Sequence, residues 1–196
     1  MNIGLIFPNK DRRYKTYHLG LGYLVSWARK QHNDVRFTLL DTRVATARET
    51  KNFFAKKYDL IGMTVFSPVY YEVISLFERI SKQHSETPVC LGGPYVTTIM
   101  QDIFKETPAD FAVYGEGEIT FSELISHLKG QEELSNIHGL MYSGKNGQVI
   151  TNPPRTYIED LDQVPIPAYD IFPMHRYPLH RIVSSRGCPY SCSFCN

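Results

Sequence analysis

Short apolar runs alternate with amphipathic segments along most of this chain, and this alternation constrains the fold more than any other feature. The apolar runs cover residues 2–7, 35–40, 60–65, 88–91 and 110–114. Between and after them, apolar residues recur at helical spacing over residues 19–32, 45–57, 69–84, 95–106 and 118–129. Repeated strand-then-helix units predict an α/β fold with a doubly wound, parallel, five-stranded sheet and helices on both faces. Among doubly wound orders we expect the flavodoxin-like order 2-1-3-4-5.

The pattern changes after Gly130. Apolar residues at 139–142 and 148–150 flank the pair Asn146-Gly147, which is a strong hairpin signal. Six prolines then fall between residues 153 and 178, and because proline removes backbone donors we expect an extended connector on the surface. Residues 181–184 predict a new strand. The expected units are a first domain over 1–134, a hairpin and connector over 135–180, and the start of a further domain over 181–196.

Charge and hydropathy exclude several classes of protein. Lys and Arg number 21 against 20 Asp and Glu, so the formal net charge of +1 argues against a surface that coats nucleic acid. No apolar run reaches the roughly 18 residues that a membrane helix needs, and the N-terminus lacks the layout of a signal peptide. We therefore expect a cytoplasmic protein with no nucleic-acid partner and no membrane span.

Three of the four cysteines, Cys188, Cys192 and Cys195, crowd into the last nine residues with the spacing C-x3-C-x2-C. A secreted disulfide framework would distribute its cysteines, so this cluster indicates a metal or iron–sulfur site. Thiolates suit iron–sulfur clusters because soft, anionic sulfur donates to iron and balances its charge. Three protein ligands leave one iron open for chemistry. The alternative is a zinc site, for which His175 or His180 would serve as the fourth ligand.

In an open α/β sheet, ligands bind beyond the carboxyl ends of the strands. The loops expected at that edge combine hydroxyls with glycines: Thr64, Ser67, the run Gly92-Gly93-Pro94-Tyr95 and the run Gly115-Glu116-Gly117-Glu118. Glycine lets a ligand approach the main chain, and hydroxyls can anchor its polar groups. The first glycine run suits a phosphate, whereas the two carboxylates of the second would repel an anion. Tight strand-to-helix turns are the alternative explanation for each loop, so the loops alone name no ligand.

Two further residues have plain structural interpretations. Cys90 lies inside an apolar strand, and we expect it to be a buried small hydrophobe. Asp41 closes the second strand, where dinucleotide-binding folds place a ribose-binding acid, but the first turn lacks the pattern G-x-G-x-x-G. We therefore expect Asp41 to be a polar loop residue.

The order of elements, the Gly-Gly-Pro loop, the Gly-Glu-Gly-Glu loop and the three-cysteine motif together resemble the cobalamin-binding radical S-adenosylmethionine family over the whole chain. The resemblance implies that Cys188, Cys192 and Cys195 hold a [4Fe–4S] cluster whose open iron binds S-adenosylmethionine. The reduced cluster would then donate an electron into the sulfonium and release a 5′-deoxyadenosyl radical. Phe194 is expected beside the adenine, and residues 181–184 are expected to begin a partial (β/α) barrel.

The same resemblance implies that the Rossmann-like first domain holds cobalamin against the barrel, with the nucleotide tail descending toward the sheet. The implied contacts are Thr64 and Ser67 with the tail, Gly92, Gly93, Pro94 and Tyr95 along its path, and Gly115, Glu116 and Gly117 beside the corrin or tail. One departure from other cobalamin domains is that the cobalt-ligating pattern D-x-H-x-x-G is absent, since His18 has Thr16 before it and Leu21 after it. We expect His18 to start a helix rather than to ligate cobalt.

These observations leave three hypotheses. The first is an enzyme in which the radical attacks a small-molecule substrate, cobalamin assists methyl transfer or cyclisation, and an external donor supplies electrons. The second keeps the radical chemistry but has a first domain that binds no cobalamin and serves for docking, and the third is a zinc-stabilised, non-catalytic binding domain. A barrel needs on the order of another 150 to 250 residues. We therefore expect the natural protein to continue past Asn196 into a barrel that contacts this chain, and the fragment alone to be inactive.

Overall fold

A computed structural model of the chain describes residues 1–8, 16–144, 146–190 and 192–193. The strands within these residues are β1 (Asn2–Phe7), β2 (Arg36–Asp41), β3 (Leu60–Thr64), β4 (Val89–Gly92), β5 (Phe111–Val113), β6 (Leu140–Ser143) and β7 (Val149–Thr151). The α-helices are α1 (Leu19–Gln31), α2 (Ala47–Phe54), α3 (Tyr70–Gln83), α4 (Pro94–Ile99), α5 (Ile103–Glu106) and α6 (Glu118–Leu128). In this part of the chain, no helix is both long and apolar enough to cross a membrane.

The strands form one sheet in the order β2-β1-β3-β4-β5-β6-β7. The first five strands are parallel, which confirms the predicted order 2-1-3-4-5. The predicted hairpin also forms, but it belongs to the same sheet, because β6 pairs antiparallel with β5 and β7 with β6. The hairpin thereby pairs with the edge of β5 that would otherwise expose unpaired backbone groups. The carboxyl ends of the five parallel strands meet at one edge of the sheet.

Helices cover both faces of the sheet, and each face has its own apolar core. On one face, α1 and α6 pack against alternate residues of β1 such as Ile3 and Leu5. On the other, α2 to α5 pack against the intervening residues, such as Ile6 and Ile61. Strands buried on both faces need apolar residues at nearly every position, which explains why the sequence shows continuous runs rather than alternation.

The single helix predicted over residues 95–106 is broken in the structure. Met100 has a φ of 52°, which places it in the left-handed region. An L-residue in that conformation cannot continue a right-handed helix. The segment therefore divides into α4, a 3-10 turn (Met100–Asp102) and α5.

The proline-rich connector does not lie wholly on the surface, so the expectation of an extended surface connector was wrong for its second half. Ala168, Phe172 and Tyr177 are buried in the core beside α1. The close approach depends on Gly22, because a Cβ at that position would lie 3.0 Å from the Cβ of Pro167. The backbone N–H of Ala168 also donates to the carbonyl of Gly22 at 3.0 Å.

Asp41 anchors the end of the connector instead of standing in a polar loop. It is the last residue of β2 and is only 4% exposed. The Tyr177 hydroxyl donates to its Oδ2 at 2.8 Å, and the Arg43 guanidinium forms a buried ion pair with the same oxygen at 3.3 Å. A buried carboxylate needs such partners, because an unpaired charge away from water is costly.

Residues 181–184, which were predicted to form a strand, have no regular secondary structure. A strand needs a neighbour to pair with, and in the described part of the chain the sheet ends at β7 and does not extend to them. The segment is held by side chains instead. The Tyr17 hydroxyl donates to the carbonyl of Arg181 at 2.8 Å and accepts from its N–H at 2.6 Å.

Candidate functional site

A cavity of about 370 Å³ opens at the carboxyl edge of the sheet, between β1, β3, β4 and β5 and the helices α1 and α6. Strand register explains its floor. Leu5, Gly62 and Cys90 are neighbours across three parallel strands, and they present their side chains to the same face. Because two of these three residues are small, the face is recessed where α1 and α6 cover it. One step nearer the edge, Thr64 pairs with Gly92 and continues the recess.

The walls of the cavity are apolar and its mouth is polar. Leu21 and Leu24 of α1 and Phe121 of α6 face the floor. The lining also includes the charged and polar side chains of Thr64, His18, Tyr23, Glu116, Glu118 and Arg186. Such a cavity suits a ligand with a flat apolar end and a polar remainder.

Glycines at the mouth have two separate roles. Gly93 has a φ of 102°, and a Cβ there would lie 2.8 Å from Thr64 Oγ1, so backbone geometry requires glycine at this position. Gly92 and Gly117 are different, because a Cβ at either would meet its nearest neighbour at 3.7 Å, an ordinary contact. These two positions tolerate a side chain sterically, so glycine there keeps the mouth of the cavity open.

Six of the nine residues expected to contact cobalamin line this cavity. They are Thr64, Gly92, Gly93, Gly115, Glu116 and Gly117. Ser67 is instead exposed in the turn that follows β3, and Pro94 is the exposed first residue of α4. Tyr95 packs against the ring of Tyr70 at 5.5 Å, and its hydroxyl donates to Glu106 at 3.2 Å. None of these three is part of the lining, so their role in binding stays a prediction.

His18 caps the N-terminus of α1, as expected. Its Nδ1 accepts a hydrogen bond from the backbone N–H of Leu21 at 3.0 Å. With Nδ1 as the acceptor, the proton of the neutral ring lies on Nε2, which then has no lone pair to offer a metal. The ring stands beside Phe7 and Phe66, with centroids 4.9 and 5.4 Å away. Burial lowers the pKa of His18 to about 4.

The acidic loop after β5 is bound by a cation from a distant part of the chain. Arg186 contacts Glu116 Oε1 at 3.1 Å and Glu118 Oε1 at 2.5 Å. Glu118 is also the first residue of α6, where a carboxylate complements the partial positive charge of the helix N-terminus. The two acids that would repel an anion in isolation are therefore partly neutralised at the mouth of the cavity.

The cysteine cluster lies only partly within the described residues. Cys188 and Cys192 are exposed free thiols, while Phe194 and Cys195 fall outside the described residues. Over the described ranges, no group of three or more His, Cys, Asp or Glu side chains is arranged to hold a metal ion. Cys90 is buried, as expected, and burial raises the pKa of its thiol.

Several residues of the cavity were missed by sequence reasoning: Leu5, Leu24, Gly62, Cys90, Phe121 and Arg186. One signal was present. Gly62 and Cys90 are small residues inside apolar strands that the predicted order places side by side. The position of Arg186 could not be foreseen, because its partners lie about 70 residues away in the chain.

A parallel, doubly wound sheet with a deep apolar cavity at its carboxyl edge defines a cofactor-binding α/β domain. The family model of the B12 binding domain matches residues 9–125, and the chain belongs to this family.

Known proteins extend this identification. The chain is 36% identical to an uncharacterised methyltransferase of Pyrococcus horikoshii, with 100% of the chain and 45% of the relative covered. It is 28% identical to the anaerobic magnesium-protoporphyrin IX monomethyl ester cyclase of Rubrivivax gelatinosus, with 71% and 27% covered. The solved structure of apo OxsB, a cobalamin-dependent S-adenosylmethionine radical enzyme, matches 99% of the chain and 28% of OxsB, with a TM-score of 0.76 and 25% identity. The resemblance to cobalamin-dependent radical S-adenosylmethionine enzymes is confirmed, and the chain spans less than half the length of these relatives.

The buried state of His18 predicts an unusual titration. We expect the ring protons of His18 to show a midpoint near pH 4 in proton NMR. The folded state buries the neutral ring, so its pKa lies below the ordinary value of 6.5. The free energy of unfolding is therefore highest, as far as His18 is concerned, above pH 6.5, and it decreases as the pH falls from 6.5 toward 4. The variant His18→Asn keeps a capping acceptor but does not titrate, so its stability to urea should fall less over this window. A His18 midpoint near 6.5 would contradict the structure.

Proposed function

We propose that this chain is the cobalamin-binding part of a radical S-adenosylmethionine enzyme that carries out methyl transfer or cyclisation on a small-molecule substrate. The observation that carries the proposal is the apolar cavity at the carboxyl edge, whose floor and mouth are kept open by Gly62, Gly92 and Gly117. Membership of the B12 binding domain family supports the choice of ligand. The names of two relatives, a methyltransferase and an ester cyclase, support the two reaction types.

The residues of the cavity fit the nucleotide tail of cobalamin. The tail ends in a flat aromatic base, which suits the apolar floor of Leu5, Gly62 and Cys90 and the ring of Phe121. Its ribose and phosphate need polar groups and close approach to the main chain, which Thr64 and the glycine rim provide. When bound, cobalamin supplies a cobalt centre that can carry a methyl group.

The three cysteines are proposed to hold a [4Fe–4S] cluster with S-adenosylmethionine on the open iron and Phe194 beside its adenine. The support is the spacing C-x3-C-x2-C and the exposure of Cys188 and Cys192 as free thiols. Such a cluster, once held by these thiolates, would supply the electron for cleavage of the sulfonium, and an external donor would replace that electron. Arg186 lies two residues before Cys188 and lines the mouth of the cavity, so the cysteine segment starts beside the proposed cobalamin site.

A matched pair of substitutions at Gly117 tests the cobalamin site. Gly117 has a φ of −96°, so both Gly117→Ala and Gly117→Leu are compatible with the backbone. We expect hydroxocobalamin to give a saturable change in visible absorption with the wild type and with Gly117→Ala. Gly117→Leu places its side chain in the mouth and should weaken binding by at least about tenfold, or about 1.4 kcal/mol.

Two results would contradict this site. No spectral change with the wild type would favour a first domain that serves for docking without cobalamin. Equal affinity of Gly117→Leu and Gly117→Ala would place the ligand elsewhere.

The metal assignment is tested by analysis of the full-length protein after reconstitution without oxygen. We expect about four iron and four sulfide per chain. Cys188→Ala or Cys192→Ala should lose this content, because three thiolates are needed, whereas Cys90→Ala should retain it, since that thiol is buried beside the sheet. Zinc without sulfide would instead support a structural metal site.

A further inference from the structure

The guanidinium of Arg186 forms ion pairs with both Glu116 and Glu118, which follow β5. The contacts to Glu116 and Glu118 measure 3.1 and 2.5 Å. The three side chains are only 22%, 16% and 8% exposed, so this ion pair is much less accessible than an ordinary surface pair. Partly desolvated, hydrogen-bonded Arg–carboxylate contacts are stronger and more specific in geometry than exposed ones.

We name the group formed by Arg186, Glu116 and Glu118 the Arg186 clamp. Each of these three residues makes a further contact. Glu116 Oε2 accepts from the backbone N–H of Ile158 at 2.8 Å. Glu118 is held at the start of α6. The ring of Tyr23 lies 5.2 Å from the guanidinium on another side. The clamp therefore joins α1, the loop after β5, α6, the connector and the segment before the cysteines at one point.

The clamp also lies where two features of the chain meet. Glu116, Glu118 and Arg186 all line the mouth of the cavity. Arg186 precedes Cys188 by two residues, with only Gly187 between them. Any displacement of Arg186 from its acids would therefore change both the mouth of the cavity and the starting point of the cysteine loop.

We propose that Arg186 is a positioning residue whose ion pairs with Glu116 and Glu118 hold the segment that leads to Cys188 at the mouth of the cavity and couple the position of that segment to the occupancy of the cavity. A ligand in the cavity then stabilises the clamp, and by linkage the clamp raises the affinity for the ligand by the same factor. The identity of that ligand as cobalamin rests on the proposed function. The existence of the Arg186 clamp rests only on the contacts described above and does not depend on that function.

Trypsin offers a direct readout, because it cleaves after arginine, and Arg181 supplies a nearby reference site whose contacts with Tyr17 lie outside the clamp. The ratio of cleavage after Arg186 to cleavage after Arg181 in the wild type is the baseline for the variants. The double variant E116Q/E118Q keeps both cleavage sites but removes the charges that bind Arg186. We expect its Arg186-to-Arg181 cleavage ratio to rise by at least about fivefold. E133Q, which neutralises an exposed acid away from the clamp, should leave the ratio unchanged.

A second variant covers the case in which E116Q/E118Q does not fold. R186K keeps the charge and the cleavage site, but a single ammonium cannot reproduce the planar fork between two carboxylates. Relative to the same ratio in the urea-unfolded variant, which removes the intrinsic preference of trypsin for arginine over lysine, the substitution should also raise the cleavage ratio, with an unchanged far-UV circular dichroism spectrum. An unchanged ratio in a folded variant would overturn the clamp.

The coupling is tested with hydroxocobalamin as the probe. It should lower the cleavage ratio of the wild type, and E116Q/E118Q should bind it at least about fivefold more weakly. A raised ratio without ligand, combined with wild-type affinity, would overturn the coupling but leave the clamp standing. If the wild type itself fails to bind hydroxocobalamin, the proposed function and the coupling fall together, and the ratio measured without ligand still decides the clamp.

Discussion

The recess in one face of the sheet is the constraint on which the rest of this structure depends. A parallel sheet covered by helices normally fills both faces with branched side chains. Here Gly62 and Cys90 stand side by side in the middle of the face, and Thr64 and Gly92 follow them toward the edge. The helices α1 and α6 cross this row of small residues without filling it. A cavity lined by apolar groups and open at the carboxyl edge is the direct result.

The connector packs against the elements that border this open edge. Its second half packs on α1 through Gly22, and its end is anchored to the buried pair of Asp41 and Arg43 by Tyr177. Beyond that anchor, Tyr17 brackets the backbone of Arg181. The chain thus returns to the carboxyl edge, where the Arg186 clamp is formed. Packing at a distance from the cavity therefore determines where the cysteine segment begins.

Local patterns were sufficient to predict much of the fold. The doubly wound parallel sheet followed from the alternation of apolar runs and helical segments, and the hairpin followed from Asn146-Gly147. The order 2-1-3-4-5 was chosen among the doubly wound orders and is confirmed. Features that depend on long-range contacts were missed or wrong. The burial of the connector and the attachment of the hairpin to β5 depend on tertiary packing, and the positive φ that breaks the helix at Met100 has no counterpart in the apolar periodicity.

In the candidate site, too, local patterns were predictable and long-range contacts were not. The glycine loops were predictable because strand ends in such a fold meet at one edge, and six of the nine expected cobalamin contacts line the cavity. The prediction for Ser67, Pro94 and Tyr95 rested on their position after the strands alone, and the turn after β3 and the start of α4 leave them outside the lining. The floor at Gly62 and Cys90 needed the register of neighbouring strands, and the pairing of Arg186 with Glu116 needed the folded chain.

The proposed function holds that the cavity takes the nucleotide tail of cobalamin, in which case the base of the tail would not ligate the cobalt. Electron paramagnetic resonance of the chain with bound cob(II)alamin tests this most directly. The account predicts cobalt lines without nitrogen splitting, because the base would be buried against the floor while His18 keeps its Nδ1 on the helix cap. A spectrum with nitrogen splitting would show that the base or His18 ligates cobalt and would contradict the account.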